Sequence, residues 1–219
     1  MRQRFYLFKN KYIYKAALYL TQSICDIFTR IELRGYENIP EGQPCVIAAN
    51  HVSYLDPFAM AFFHENEICV VARDTLMSNP FSNLLLSNMN AIPIKRGDSR
   101  NLGVFRLLLS HIKDGKSVLI FPEGTRSADG TLQKGKAGVG LLAMKAGVPI
   151  IPIRSWGFEE FYPRSNKIRG GGRIVMQVGK PIQLSEIDPG KNCQERAQVI
   201  VDNIMQRIAD IKKPKLYNL

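Results

Sequence analysis

The feature that most constrains the fold is a series of short apolar runs, rich in β-branched residues, that alternate with segments of helical spacing. Such runs are typical of buried strands. We predict strands at Ile31–Arg34, Cys45–Ala49, Ile68–Ala72, Ala91–Ile94, Ser117–Phe121, Val148–Ile153 and Arg173–Val178. Strands that alternate with helices indicate an α/β fold, in which a mixed, largely parallel sheet is flanked by helices.

The intervening segments show apolar residues at helical spacing. We predict helices at Pro57–Phe63, Phe81–Met89, Ala137–Ala146 and Glu195–Ile211, and another that is capped by Asp98 or Ser99 and ends at Gly115. A chain of 219 residues can bury one sizeable core, and we find no internal repeat and no low-complexity linker. We therefore predict one domain at residues 31–219, preceded by a helical appendage at residues 1–30.

The predicted appendage mixes six basic side chains, five of them before Ala16, with many aromatic and aliphatic ones. Its longest charge-free stretch, Ala16–Cys25, is too short to cross a bilayer, which takes about 20 apolar residues. A basic, aromatic, helical segment is typical of an anchor that lies in the membrane interface. The alternative is a helix that packs on the core of its own domain. The sequence favours the membrane anchor.

The net charge indicates an anionic partner. Thirty Lys and Arg against nineteen Asp and Glu give a formal charge of +11, which suits nucleic acid, anionic lipid or a phosphorylated small molecule. The aromatic residues cluster in the N-terminal segment instead of alternating with basic ones as a nucleic-acid stacking platform would require. The four cysteines are scattered without a CxxC pair, which favours reduced, buried thiols over disulfides or a zinc site.

A histidine and an aspartate follow the apolar run Cys45–Ala49 at a spacing of five residues. His51 and Asp56 would lie about 140° apart on a regular helix, so they can touch only across a turn. Asp56 before Pro57 suits a helix start at that turn, with the aspartate as its N-cap. The catalytic interpretation is a general base, His51, oriented by a carboxylate, Asp56. The alternative is an exposed loop histidine beside an ordinary helix cap.

Polar residues follow a second predicted strand, Ser117–Phe121, at the corresponding position. This segment begins at Glu123. Gly124 permits close backbone approach, Thr125 offers a hydroxyl, and Arg126 offers a planar cationic fork for phosphate. An ordinary turn with a local ion pair between Glu123 and Arg126 is the alternative. Arg96 and, with a weaker case, Arg73 also follow predicted strands and are further candidates for a phosphate contact.

No serine-nucleophile elbow of the G-x-S-x-G type is present. The segment from Gly130 to Ala137 nearly matches a P-loop but ends in alanine where the Mg²⁺-binding Ser or Thr is required. A base without a protein nucleophile indicates direct transfer, in which His51 takes a proton from an acceptor hydroxyl that attacks an acyl donor.

These stretches together resemble the PlsC-like glycerolipid acyltransferase family, typified by 1-acylglycerol-3-phosphate acyltransferases. Four blocks occur in the family's order: Asn50–Asp56, Ala91–Arg96, Phe121–Ser127 and Val148–Ile153. The resemblance implies that His51 is the base and Asp56 its partner, and that Arg96, Arg73 and the residues Glu123–Arg126 hold the acceptor phosphate and glycerol backbone. One departure is Asn90, where members often carry glycine; it bears on the backbone shape near the phosphate site and not on the chemistry.

The resemblance implies a membrane-surface enzyme at the cytoplasmic face of the cell membrane. It would move an acyl group from acyl-CoA or acyl-carrier protein to the sn-2 hydroxyl of an anionic lysophospholipid, giving phosphatidate, without a metal or other cofactor and without nucleic acid. Two alternatives stay open: the same chemistry on glycerol-3-phosphate or another lysolipid, and a non-enzymatic binder of anionic membrane or nucleic acid.

Overall fold

Seven strands form one sheet in the computed structural model, which describes residues 11–62, 67–88, 90–94, 102–161 and 172–214. The strands are β1 Arg30–Arg34, β2 Val46–Ala49, β3 Ile68–Arg73, β4 Ala91–Ile94, β5 Ser117–Ile120, β6 Ile150–Trp156 and β7 Arg173–Val178. The helices in these ranges are α1 Lys11–Phe28, α2 Asp56–Phe62, α3 Pro80–Asn88, α4 Leu102–Lys113, α5 Ala137–Ala146, α6 Phe158–Phe161, α7 Leu184–Ile187 and α8 Arg196–Asp210. The predicted α/β class is confirmed, and each predicted strand is present within a few residues.

Two differences from the predicted elements have clear causes. The strand β6 starts at Ile150 and continues to Trp156, since its second half pairs antiparallel with β7. The short helices α6 and α7 have only four residues each, too few to give a periodic pattern. The predicted cap at Asp98 or Ser99 lies outside the described residues.

The order of strands in the sheet is β1-β7-β6-β2-β5-β3-β4. The five strands from β6 to β4 run parallel to one another, and β7 and β1 run the opposite way. From β2 the chain moves outward to β3 and β4, then returns as β5 between β2 and β3, and next enters β6 on the far side of β2. The carboxyl ends of β2 and β5 are therefore neighbours.

Two apolar cores cover the two faces of the sheet. Alternate residues of β2 divide between them, with Ile47 in one core and Val46 in the other. The first core includes residues of α1 and α2, and the second includes residues of α4, α5 and α8. The connections that leave β2 and β5 thus run to opposite faces. Such a switch opens a crevice at the carboxyl ends of the two strands, where ligands bind in open α/β sheets.

Helix α1 packs one face on the first core and exposes the other. Tyr14 and Leu18 are buried, and the Tyr14 hydroxyl accepts a hydrogen bond from the Ile68 amide at 3.3 Å. The exposed large apolar side chains of this helix are Tyr12, Tyr19, Leu20 and Ile27. One face of α1 therefore packs on the core of its own domain, which was the alternative to a membrane anchor. None of the described helices has the length and apolar character needed to cross a membrane.

Asn90 adopts a backbone conformation that glycine would also allow. Asn90 has a φ of 54°, in the left-handed region that glycine adopts freely and asparagine tolerates. Its side chain donates to Glu67 and accepts from the Lys116 ammonium at 3.1 Å. Because Asn90 precedes β4, it lies at the amino edge of the parallel strands, opposite the edge that carries His51. Asn90 is therefore remote from His51, while Arg96 of the predicted phosphate site lies outside the described residues.

Candidate active site

The His51 and Asp56 side chains meet across a turn. The Nδ1 atom of His51 lies 2.8 Å from Oδ2 of Asp56, and Asp56 is fully buried while the His51 side chain is 17% exposed. Strand β2 ends at Ala49 and α2 begins at Asp56, so the intervening turn returns the carboxylate to the imidazole. An Asp56 that accepts from Nδ1–H leaves the lone pair on Nε2, which is the tautomer that a general base needs. The contact between His51 and Asp56 that the catalytic interpretation requires is therefore present.

The prediction that Asp56 caps helix α2 was wrong. The carbonyl of Leu55 accepts the first helical hydrogen bonds, from Phe58 and Ala59, both at 3.1 Å. The Asp56 carboxylate turns back instead and accepts from the Val52 amide at 2.8 Å and the Ser53 amide at 2.9 Å. The buried Oδ1 atom accepts no hydrogen bond from the described residues. Asp56 therefore organises the turn that carries His51 rather than the helix that follows.

The backbone of His51 is held by the loop after β5. Its amide donates to Oε1 of Glu123 at 3.3 Å, and its carbonyl accepts from the Ser127 amide at 2.7 Å. Three successive amides, those of His51, Val52 and Ser53, therefore point at two buried carboxylates. This arrangement fixes the direction in which the imidazole leaves the chain.

Two further contacts of this turn were not predicted. The Phe121 ring stacks on the imidazole, with centroids 4.0 Å apart and an interplanar angle of 19°. The Asn50 side chain bridges to β6: it donates to the Ser155 carbonyl at 3.0 Å and accepts from the Ser155 amide at 2.8 Å. Both residues belong to the blocks quoted above, but only the sheet order shows that β6 and β5 flank β2.

Glu123 points into the fold. It is 2% exposed, and its Oε2 atom is buried without a hydrogen-bond partner among the described residues. Desolvation is the main cause that raises the pKa of Glu123 to about 7; hydrogen bonds from the His51 and Gln133 backbones lower it, and the Asp56 carboxylate raises it. Glu123 takes part in none of the salt bridges found among the described residues, so the alternative of a local ion pair with Arg126 is not supported.

The raised pKa of Glu123 predicts a pH-dependent gain in stability from Glu123→Gln. The folded chain holds this proton more tightly than the unfolded chain, whose pKa is near 4.5. The stability linked to protonation is therefore complete below about pH 4.5 and is lost as the pH rises to about 7. We expect the free energy of unfolding of Glu123→Gln, relative to wild type, to increase between these values and then level off.

Chemical denaturation at several pH values measures this difference, and Glu41→Gln, at an exposed loop position, controls for the loss of a carboxylate. A difference between Glu123→Gln and wild type that stays constant from pH 4 to pH 8 would contradict the prediction.

Arg126 and Lys136 bring positive charge to the same loop. The guanidinium of Arg126 lies over the Tyr54 ring, 3.6 Å from its centroid. Lys136, the residue before α5, runs its side chain across Gly124, so that its Nζ atom is 2.8 Å from the position a Cβ on Gly124 would take. Gly124 also has a φ of 66°. The absence of a Cβ at Gly124 thus leaves room for the Lys136 side chain, and the close approach of a ligand to this glycine stays a prediction.

The other candidates lie at the same edge or outside the described residues. Arg73 is exposed at the carboxyl end of β3, two strands away from His51. Thr125 is partly exposed between Gly124 and Arg126. Arg96 lies outside the described residues. The structure thus places His51, Asp56 and the loop with Glu123 and Arg126 at the carboxyl ends of β2 and β5, with the Glu123 side chain turned into the fold. It adds Lys136, which belongs to the segment that resembles a P-loop.

Comparison with known proteins gives the family of this fold. The acyltransferase family model matches residues 30–156. A chloroplastic 1-acyl-sn-glycerol-3-phosphate acyltransferase, BAT2 of Brassica napus, is 32% identical over 74% of this chain and 47% of its own length. The 1-acyl-sn-glycerol-3-phosphate acyltransferase of Pseudomonas aeruginosa is 32% identical over 90% of this chain and 76% of its own. The chain spans about half the length of its chloroplastic relatives.

The fold is also similar to a solved structure. The crystal structure of the 1-acyl-sn-glycerophosphate acyltransferase PlsC from Thermotoga maritima superposes with a TM-score of 0.73. The match covers 96% of this chain and 87% of that one, at 23% sequence identity. This likeness supports the α/β architecture described above.

Proposed function

The chain belongs to the acyltransferase family, and from this we propose that it esterifies the sn-2 hydroxyl of 1-acyl-glycerol-3-phosphate to give phosphatidate. The observation that carries the proposal is the contact between His51 Nδ1 and Asp56 Oδ2 at 2.8 Å. Relatives named 1-acyl-sn-glycerol-3-phosphate acyltransferases support the choice of acceptor. The acyl donor would be a thioester, either acyl-CoA or acyl-carrier protein, and we propose that no metal or other cofactor takes part.

The chemistry needs one proton carrier. Nε2 of His51 takes the proton of the acceptor hydroxyl while that oxygen attacks the thioester carbonyl, and Asp56 stabilises the imidazolium that forms. The new C–O bond replaces the C–S bond, and the proton passes from His51 to the departing thiolate. The buried, hydrogen-bonded Asp56 fixes the imidazole, so the acceptor meets an oriented base.

The cationic side chains around the crevice suit the phosphate of the acceptor. Arg126 offers two parallel N–H donors, and Lys136 offers a point charge beside Gly124. Arg73, Arg96, Thr125 and the backbone at Gly124 would complete the headgroup site. Phosphate bound by Arg126 lies beside the turn that carries His51, since Tyr54 belongs to that turn.

The stacking contact predicts an effect of Tyr54 on acceptor affinity. Tyr54→Leu removes the ring under Arg126 and is expected to raise the KM for lysophosphatidate about 3- to 30-fold, because a cation–π contact is worth about 0.5 to 2 kcal/mol. Tyr54→Phe keeps the ring and serves as the matched control, with a KM near that of wild type. Steady-state kinetics with the donor saturating measures both. An unchanged KM in Tyr54→Leu would contradict the assigned contact.

The exposed face of α1 suits peripheral binding to an anionic membrane, at the cytoplasmic face of the cell membrane. Tyr12, Tyr19, Leu20 and Ile27 fall within an arc of about 100° on the helix. They lie opposite the buried Tyr14, with the exposed Lys15 available to lipid phosphates. Aromatic and aliphatic side chains at headgroup depth with nearby lysine are features of an interfacial helix.

Removing apolar area from this face is expected to weaken membrane binding. We expect the double variant Leu20→Ser and Ile27→Ser to float less with vesicles that contain an anionic phospholipid, because each side chain contributes buried apolar surface. Leu141→Ser, on α5 at the opposite face of the sheet, is the matched control. Equal flotation of the double variant and the control would contradict the anchor.

An acceptor panel tests the proposed function. The purified chain is incubated with one acyl-CoA, or with acyl-carrier protein, and with lysophosphatidate, glycerol-3-phosphate or a lysolipid without a terminal phosphate. We expect the highest kcat/KM with lysophosphatidate. A higher value with another acceptor would assign the chain to that acceptor instead, and salt-sensitive nucleic-acid binding without any acyl transfer would favour a non-enzymatic binder.

A further inference from the structure

The side chain of Glu123 is buried, whereas a residue that binds a headgroup ligand must expose its polar atoms to the crevice. The Gly124 amide donates to the Phe121 carbonyl at 2.9 Å and closes a turn from Phe121 to Gly124. The side chains of Glu123 and Arg126 point in different directions from this turn. Arg126 lies over Tyr54, whereas Glu123 lies inside and is 2% exposed. A carboxyl group with so little exposed surface offers almost no area to a ligand in the crevice.

The contacts of Glu123 instead join two loops. Oε1 of Glu123 accepts from the amide of His51, and the amide of Ser127 donates to the carbonyl of His51 at 2.7 Å. The loop after β5 therefore holds the peptide units on both sides of the His51 Cα atom. Asp56 holds the next two amides and the imidazole itself. Without Glu123, His51 would keep its side-chain partner but lose a constraint on the direction of its Cα–Cβ bond.

The charge of the proposed acceptor also argues against direct contact. A phosphomonoester is an anion, and an ionised Glu123 carboxylate would repel it, as would the nearby Asp56. The cations at the crevice, Arg126 and Lys136, already provide groups of the complementary sign. Glu123 therefore differs from Arg126 of the same block: it is buried, it carries an acidic group, and its partner is the His51 backbone instead of an aromatic ring.

We propose that Glu123 is a positioning residue that sets the orientation of His51 through its backbone, and that it does not bind the acceptor headgroup. This inference rests on the proposed acyltransferase function for its kinetic consequences, while the contact itself can be tested without activity. It assigns the acceptor site to the cationic residues of the loop and gives the base a second support besides Asp56.

Kinetics of three substitutions at this position test the role. Glu123→Leu removes the acceptor atom, and Glu123→Asp withdraws it by one methylene; both are expected to lower kcat about 10- to 100-fold with the KM for lysophosphatidate within about twofold. Glu123→Gln keeps an oxygen at the position of Oε1 and is expected to restore most of kcat. A role limited to folding would not produce this split between kcat and KM or the rescue by glutamine.

Two outcomes would overturn the proposal: a tenfold or larger rise in the KM for lysophosphatidate at unchanged kcat in Glu123→Asp, or wild-type kinetics in both Glu123→Leu and Glu123→Asp. Because Glu123→Asp keeps a carboxyl group of nearly the same size, it tests the proposal even if Glu123→Leu does not fold. Glu41→Leu, at an exposed loop position, controls for the loss of a carboxylate.

A spectroscopic measurement separates this inference from the proposed function. The chain has three histidines, so selective ¹⁵N-histidine labelling gives few amide signals, and the His51→Gln spectrum assigns the one of interest. We expect the His51 amide proton signal to shift in Glu123→Leu and to stay near its wild-type position in Glu123→Gln. An unmoved signal in Glu123→Leu would overturn the contact, whereas a shifted signal in a chain without acyl transfer would retain it and overturn the function alone.

Discussion

Replacing His51 with alanine is expected to lower kcat for acyl transfer to lysophosphatidate by about 10³-fold, within the range that general-base catalysis supplies. The imidazole carries the only proton transfer that the proposed chemistry needs, and its Nδ1 atom is fixed by Asp56 at 2.8 Å. The KM for the acceptor is expected to change little, since the proposed phosphate contacts lie on other side chains. Steady-state kinetics at saturating donor measures both quantities.

The fold is expected to survive this substitution. His51 loses its stack on Phe121 and one side-chain hydrogen bond, a cost of about 1 to 2 kcal/mol in the free energy of unfolding. His111→Ala is the matched control, because the last turn of α4 precedes the amino end of β5, at the edge opposite the crevice. A folded His51→Ala enzyme with turnover near that of wild type would remove His51 from the mechanism.

The second large effect is expected at Asp56, where two substitutions separate geometry from charge. Asp56→Ala removes the acceptor from the buried amides of Val52 and Ser53, each left unpaired at a cost of about 1 to 3 kcal/mol. It should therefore lower both the free energy of unfolding and kcat. Asp56→Asn can place its oxygen where Oδ2 stands, so the turn is expected to hold while the charge that stabilises the imidazolium is gone.

We expect Asp56→Asn to lower kcat about 10²- to 10³-fold with a much smaller loss of stability than Asp56→Ala. Thermal or chemical unfolding and kinetics on the same preparations measure the separation. Asp114→Asn, an exposed position after α4, is the matched control for replacing an aspartate. Equal loss of stability in the alanine and asparagine variants would contradict the role of Oδ2 as the shared acceptor.

The sequence predicted the fold because its strands are short, buried and bounded by polar residues. The end of α5 at Ala146 follows from the left-handed Gly147, and the α/β class follows from alternation alone. The pairing of His51 with Asp56 across a turn was also predicted, since the spacing excluded contact along one helix. These inferences depend on local pattern, which one sequence contains.

The order of strands in the sheet could not be predicted from local sequence pattern. Insertion of β5 between β2 and β3 makes Phe121, Glu123 and Ser127 neighbours of His51, although more than 70 residues separate the two loops in sequence. Asp56 was misjudged as a helix cap because the capping preference is local, whereas its carboxylate satisfies three donors on the preceding turn. Lys136 was missed because its approach to Gly124 depends on where α5 begins.

Direct acyl transfer to a hydroxyl that His51 activates can be followed by mass spectrometry of both protein and lipid. Wild-type chain is mixed with acyl-CoA, with and without lysophosphatidate, and quenched within the first turnovers. We expect phosphatidate with one free thiol per new ester when acceptor is present, and unmodified protein with no thiol release when it is absent. A covalently acylated protein, or intact lysophosphatidate after many turnover times, would contradict it.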